Sequence, residues 1–269
     1  MKSFNQLAAF AELLAKTGGE IAMAGFRKPI TITLKDNGSA VTEIDLAIES
    51  ALKELITTHY PEHGIWGEEF GRTTGNADYQ WVIDPIDGTA AFSCGKPGFC
   101  LLIALLFHNK PVLGVIYQPF SGEQWIGYHS EAAYLNQQRC YSNRFVNPER
   151  IRLSCTTPAM FASSELQEKF NAVARKAAVV SYGGDAYSYG LLASGYIDII
   201  LEADLQYYDV AALIPIVEGA GGVITDWEGK AIEPETFDGR CIAAANEELL
   251  EMVVESMRGA ASTPLEVGR

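Results

Sequence analysis

The stretch Tyr79-Gln80-Trp81-Val82-Ile83-Asp84-Pro85-Ile86-Asp87-Gly88-Thr89 constrains the fold more than any other part of the sequence. Its first five residues read as a short strand, which runs straight into two carboxylates three residues apart. Pro85 fixes the backbone and removes a donor, and Gly88 lets the main chain approach a ligand closely. Hard divalent cations take carboxylate, carbonyl and water oxygens, which Asp84, Asp87 and the Ile86 carbonyl are able to supply. If Gly88 and Thr89 open a helix, their amides face an anion. The same residues also read as an acidic turn, because Asp-Pro and Asp-Gly are ordinary loop punctuation.

Two further acidic sites bear on that choice. Glu68 and Glu69 follow the apolar Ile65-Trp66 and Gly67, as at a strand end opening on a cleft, or as a solvated edge. Asp209 follows Tyr207-Tyr208 and starts an apolar helix expected over residues 210–220, where plain N-capping would also explain it.

The rest of the chain frames these sites. Residues 4–26 have helical periodicity, and Ile30 to Leu34 reads as an exposed strand before the turn chemistry of Lys35-Asp36-Asn37-Gly38-Ser39. Thr42 caps a helix expected from Glu43 to Tyr60. Strands are expected at Leu101–Phe107, Pro111–Gln118, Trp125–Tyr128 and Ala132–Leu135. A boundary is expected near 143–150, giving an N-terminal α+β half (1–146) and a C-terminal α/β half (147–269) around one cleft. In the second half strands and helices alternate, ending in a helix from Glu247 to Met257 and a frayed tail from Gly259.

A formal charge of −14 disfavours nucleic acid as a partner. It also poses a problem for any anionic substrate unless cations are recruited locally. No apolar run reaches the roughly 20 residues of a membrane span. The N-terminus lacks the pattern of a signal peptide, so a cytoplasmic location is the expectation. Five scattered cysteines without a C-x-x-C pair argue against a disulfide framework or a zinc site. His59, His63, His108 and His129 stand in turn-like contexts and are expected at the surface.

Taken in order, Val41-Thr42-Glu43-Ile44-Asp45, Gly67-Glu68-Glu69, Asp84 to Thr89, Tyr208-Asp209-Val210-Ala211-Ala212 and Glu218-Gly219-Ala220-Gly221-Gly222 resemble the inositol monophosphatase family over most of residues 5–258. The resemblance implies a layered α-β-α-β-α fold and hydrolysis of a small phosphorylated metabolite, with two or three Mg²⁺ per site. It implies Glu68, Asp84, the Ile86 carbonyl, Asp87 and Asp209 as metal ligands, and Glu69 as an outer contact. Gly88 and Thr89 would hold phosphate, Asp45 would polarise Thr89 and through it the attacking water, and the Lys35–Ala40 loop would cover the site. A homodimer and lithium inhibition are further implications. Tyr208 stands where Trp is usual, and Ala90-Ala91 where polar residues are common; both bear on pocket shape.

Within that family, Gly184-Asp185-Ala186-Tyr187-Ser188-Tyr189 through Ala193-Ser194-Gly195, with Gly95-Lys96-Pro97 and Tyr117 to Pro119, looks most like the histidinol-phosphate phosphatase branch. Histidinol carries an ammonium and an imidazole, which Asp185, Glu202 and Asp204 would pair with; Asp185 alternatively caps its helix. Glu202 is where the family places a polyol or amine contact. An inositol-1-phosphate or broad sugar phosphatase, and a non-catalytic assembly protein that keeps the fold, are the competing expectations.

Overall fold

The computed structural model describes residues 4–35, 40–73, 75, 78–128 and 131–260. Along them run α1 (Phe4–Gly25), β1 (Ile32–Leu34), β2 (Ala40–Thr42), α2 (Glu43–His59), β3 (Gly64–Gly67), β4 (Gly71–Thr73), β5 (Tyr79–Asp87) and α3 (Thr89–Ser93). There follow β6 (Cys100–Phe107), β7 (Lys110–Gln118), β8 (Glu123–Tyr128), β9 (Ala132–Leu135), β10 (Gln138–Arg139), β11 (Arg152–Cys155), α4 (Ser164–Ala174) and β12 (Val179–Tyr182). The chain continues through α5 (Asp185–Ala193), β13 (Ile199–Glu202), α6 (Tyr207–Val210), α7 (Leu213–Gly219), β14 (Val223–Thr225), β15 (Cys241–Ala244) and α8 (Glu247–Ala260).

Two large sheets, a two-stranded β1–β2 ribbon and three helical layers result. The first sheet has strand order β10-β9-β8-β7-β6-β5-β3-β4, and the second β12-β11-β13-β15-β14. One core cluster joins α1 and α2 to one face of the first sheet, through Leu14, Ile48, Leu52, Ile83 and Leu101. A second, between the sheets, gathers Leu102, Trp125, Tyr189, Val210 and Ile216. A third packs α4 and α8 on the outer face of the second sheet, through Phe170, Leu201, Ile242 and Val253. This is the α-β-α-β-α layering that the resemblance implies. Among the described residues, no helix is long and apolar enough to cross a membrane.

Local chemistry explains most elements. Thr42 caps α2 through a capping box whose reciprocal acid is Asp45. Antiparallel β6 and β7 pair Phe107 with Lys110. The two residues between them, His108 and Asn109, sit at φ 49° and 63°, as a tight mirror-image turn requires. The exposed strand expected at Ile30 to Leu34 exists as β1, which pairs antiparallel with β2, while residues 36–39 of the expected turn lie outside the described residues. His129 and the expected tail beyond residue 260 lie outside them too. His63 differs from the expectation: it stacks on Tyr79 and lies within 3.1 Å of the Trp81 indole nitrogen, partly enclosed in an aromatic cluster.

The single helix expected over 210–220 is a correction: the structure has α6 and α7, broken at Ala211–Ala212. Pro215, which has no N–H to donate, falls in the first turn of α7, where its ring is tolerated. Asp209 is accordingly the third residue of α6, and Gln206 occupies the cap position. Two glycines of the first sheet then let this region lie directly on the strands. A Cβ on Gly114 would stand 2.0 Å from the Ala212 carbonyl oxygen, and one on Gly127 2.4 Å from the Ile216 backbone. That close approach carries Asp209 to the end of β5.

The second sheet is fastened by a buried carboxylate. Asp198, 1% exposed, accepts from Arg152 Nε (2.8 Å), Nη2 (2.7 Å) and backbone N (2.9 Å), and from Asn143 Nδ2 (2.9 Å). Burial opposes its charge, but the Arg152 and Asn143 hydrogen bonds outweigh it and hold the carboxyl below its ordinary value. Breaking a fully buried pair costs about 3–5 kcal/mol. Because the Arg152 side chain is 36% exposed, Asp198→Ala is expected to cost less, about 1–3 kcal/mol at pH 7. The folded-state pKa is depressed, so this stabilisation is present above the unfolded value near pH 4 and is lost as pH falls through the folded one. Thermal denaturation should show the gap between wild type and variant narrowing in acid; a gap independent of pH would refute the assignment.

Candidate active site

The site is built at the C-terminal end of β5. Successive strand residues point to opposite faces, so Asp84 and Asp87, three apart, would diverge in a regular strand. They do not, because the register slips: Asp84 pairs with Leu102 and Asp87 with Cys100, three steps against two. This bulge brings both acids to the same side. Asp209 from α6 joins them, and one carboxylate oxygen from each of the three lies within 4.8 Å of the others. The expected short strand at 79–83 therefore extends through the acidic motif.

The electrostatics of this cluster are unfavourable for the protein alone. Asp84 is 2% exposed, and its Oδ1 has no hydrogen-bond partner among the described residues. Burial, and then the charges of Glu68, Asp87 and Asp209, holds its carboxyl well above the usual range. Asp87 is raised likewise, by burial and then by Asp185 and Asp209. Burial pushes Asp209 up to about 8, against the Gln206 amide and with help from Glu68 and Glu202. A set of converging oxygen donors, one of them orphaned and all repelling one another, fits a hard divalent cation.

Glu68 and Glu69 stand on the turn between β3 and β4. Their Oε1 atoms both lie 2.8 Å from Lys35 Nζ, which bridges the two acids. Burial pushes Glu69 up to about 7, opposed by Lys35 and assisted by Glu68. Tyr208 adds an aromatic wall whose hydroxyl is raised by burial and by Glu68, Asp209 and Asp84. Gly88, at φ 82°, stands at the cap position of α3. The Thr89 hydroxyl has two acceptors in reach, the Ile86 carbonyl at 2.9 Å and Asp45 Oδ1 at 3.3 Å. Asp45 is fully buried, and its other oxygen accepts from the Thr42 backbone at 2.9 Å and from the Thr42 hydroxyl.

A small cavity of about 60 Å³ adjoins this cluster, lined by Asp87, Asp185, Glu202, Asp209, Thr156 and Tyr189 among others. Asp185 does not cap α5: the cap position belongs to Gly184, and no side-chain cap bond forms there. Instead Asp185 takes φ 45° and rests against Gly88, where an added Cβ would be 3.1 Å from its Oδ2. Burial and Glu202 push its carboxyl up to about 6. Glu202 is engaged by the protein, accepting from Thr156 N (3.0 Å), Thr156 Oγ1 (2.5 Å) and Tyr189 Oη (2.8 Å). Asp204 is exposed, in a left-handed turn at φ 62°, outside the residues lining the cavity. Thr156 stands in none of the sequence motifs, and the motif over 184–195 that contains Tyr189 does not by itself point to this contact.

Comparison with known proteins identifies the family. The Inositol monophosphatase family profile matches residues 4–261. Bifunctional phosphatase IMPL2, chloroplastic, of Arabidopsis thaliana is 40% identical over 261 residues, covering 94% of this chain and 75% of that protein. A histidinol-phosphatase of Mycobacterium tuberculosis is 32% identical over 207 residues, covering 75% and 80%. A solved inositol monophosphatase from Zymomonas mobilis superposes with a TM-score of 0.86 at 36% identity, over 96% of this chain and all of that one (100%). The chain belongs to the inositol monophosphatase family and is a metal-dependent phosphomonoesterase.

Proposed function

We propose that the chain hydrolyses histidinol phosphate to histidinol and inorganic phosphate with Mg²⁺. The observation that carries this reading is Asp185 resting against Gly88, with Glu202 in the wall of the same cavity. In histidinol phosphate the ammonium sits on the carbon next to the ester carbon. A carboxylate beside the phosphate-holding glycine is placed for that ammonium, and would repel a bare phosphate dianion. The histidinol-phosphatase relative supports the same substrate.

Asp84, Asp87, Asp209, Glu68 and the Ile86 carbonyl would hold the metal. Bound there, a divalent cation neutralises phosphoryl charge and acidifies water. Gly88 and the start of α3 would receive the phosphoryl oxygens. The Thr89 hydroxyl would orient the attacking water and pass its proton toward Asp45, 3.3 Å away. Positioning and charge neutralisation supply most of phosphoryl-transfer catalysis, so no nucleophilic side chain is called for.

The test is steady-state hydrolysis of histidinol phosphate against inositol-1-phosphate, with and without Mg²⁺. Histidinol phosphate is expected to have the higher kcat/KM, and both activities to need the metal. Preference for inositol phosphate would favour the second reading, an inositol-1-phosphate or broad sugar phosphatase, which the Zymomonas mobilis structure supports.

A pH dependence follows from the raised carboxyls. Near pH 7 the metal-free cluster holds a proton, since Asp209 is raised to about 8 by burial among acids. Metal ligation requires ionised carboxylates, so Mg²⁺ binding expels protons and its affinity climbs as pH rises toward about 8. Calorimetry at pH 7 in buffers of different ionisation enthalpy should register that release; heats independent of buffer would contradict it.

A further inference from the structure

We propose that Glu49 is a positioning residue of the metal site, clamping the turn that carries Glu68 and Glu69. The proposal rests on the reading of Glu68 as a metal ligand.

Glu49 lies on the apolar face of α2 with Ile48, Leu52 and Ile56, and is 1% exposed. A carboxylate is costly to bury there unless hydrogen-bonded, so its acceptors must be used. Its Oε2 accepts from the Glu69 amide at 2.8 Å, and its Oε1 from the Phe70 amide at 2.9 Å. The Glu68 amide meanwhile donates to the Ile83 carbonyl at 3.1 Å. Three successive amides are thus tied down, one to the strand just before Asp84 and two to α2. Lys53, one turn after Glu49, places its ammonium 5.6 Å from the centre of the Phe70 ring.

Gly67 fits this account on steric grounds. A Cβ there would fall 1.7 Å from Glu49 Oε1, so only glycine admits the carboxylate beneath the turn. Asp45, one helical turn before Glu49 and buried on the same side, reaches Thr89. The two acids are four residues apart, one turn or about 6 Å along the axis. One rigid helix therefore sets the distance between the Glu68–Glu69 turn and the Thr89 segment, which are separate in sequence.

Glu49→Gln keeps the shape but offers one acceptor and an NH₂ group to two amide donors. Gly67→Ala keeps the charge and pushes the carboxylate aside. In calorimetric titration of Mg²⁺ into the metal-stripped full chain, both variants are expected to bind about 10–100-fold more weakly than wild type, the usual effect of losing a group that orients a ligand. Leu52→Ala, on the same helix face, should lower the melting temperature without changing Mg²⁺ affinity, and Asp84→Asn should abolish binding. Wild-type affinity in folded Glu49→Gln and Gly67→Ala, with Asp84→Asn defective, would overturn the positioning role alone. Wild-type affinity in Asp84→Asn would overturn the metal-site reading and this inference with it. Should the variants not fold, amide exchange on the metal-free wild type decides. The Glu69 and Phe70 amides are expected to exchange only through global opening; fast exchange of both refutes the clamp.

Discussion

Asp84→Asn should abolish turnover and, at the same time, make the metal-free protein more stable. The two effects have one cause. Asp84 is buried, its Oδ1 lacks a partner among the described residues, and Glu68, Asp87 and Asp209 crowd it. In the unfolded chain the same carboxyl titrates near 3.9. Between that value and its raised folded-state pKa, the folded protein binds more protons than the unfolded one. Stability of the metal-free wild type therefore falls as pH rises through this window. Asparagine has the same shape, carries no charge, and can donate to the neighbouring carboxylates. At pH 8 the variant is expected to gain roughly 1 kcal/mol, or about 2–4 °C in melting temperature. The loss on the catalytic side is larger. Several kcal/mol of charge stabilisation, at 1.36 kcal/mol per decade, amounts to about 10³-fold or more in kcat. Mg²⁺ at 100 times its dissociation constant should stabilise wild type by about 2.7 kcal/mol and leave the variant unmoved. Hydrolysis within tenfold of wild type, or an undiminished Mg²⁺-dependent shift in melting temperature, would remove Asp84 from the site.

The legibility of the sequence follows the range of the forces involved. Periodicity and capping are local, so α1, the Thr42-capped α2 and the paired β6 and β7 could be read from neighbouring residues. The acidic motif was legible as a strand end, but the bulge that turns Asp84 and Asp87 to one side depends on Leu102 and Cys100 across the ladder. The break between α6 and α7 was missed because a continuous apolar run looks the same whether or not the chain bends onto Gly114 and Gly127. Short β4 and β10 have too few residues for any alternation to show. In the site, Lys35 binding Glu68 and Glu69, and Glu202 held by Thr156 and Tyr189, are tertiary facts with no signal in spacing. Glu49 had one: a charged residue on the buried face of an amphipathic helix is costly there, and that cost points to a partner.

Asp185→Asn should separate substrates by charge. The residue sits at φ 45°, a conformation asparagine tolerates nearly as well as any non-glycine residue, so the backbone should not move and the change is one of charge alone. Burial and Glu202 push the carboxyl up to about 6, which leaves it ionised at pH 7.5 and ready to take an ammonium. A hydrogen bond to a charged group is worth about 1.5–3 kcal/mol, so kcat/KM for histidinol phosphate should fall roughly 10–150-fold. Inositol-1-phosphate presents a neutral hydroxyl at the corresponding carbon, whose hydrogen bond to asparagine is weaker than to a carboxylate by about 1 kcal/mol, so its kcat/KM should fall only about 5-fold. The sign in pH is set by the same group. Because the carboxyl is raised, protonation removes the ion pair as pH falls through about 6, and the wild-type profile for histidinol phosphate should lose activity there. A bound metal cation nearby would move that limb lower, not higher, since positive charge favours the ionised form. In Asp185→Asn the limb should vanish for histidinol phosphate and be unchanged for inositol phosphate. Equal losses on both substrates would mean that Asp185 shapes the cavity beside Gly88 without reading the charge of what enters it.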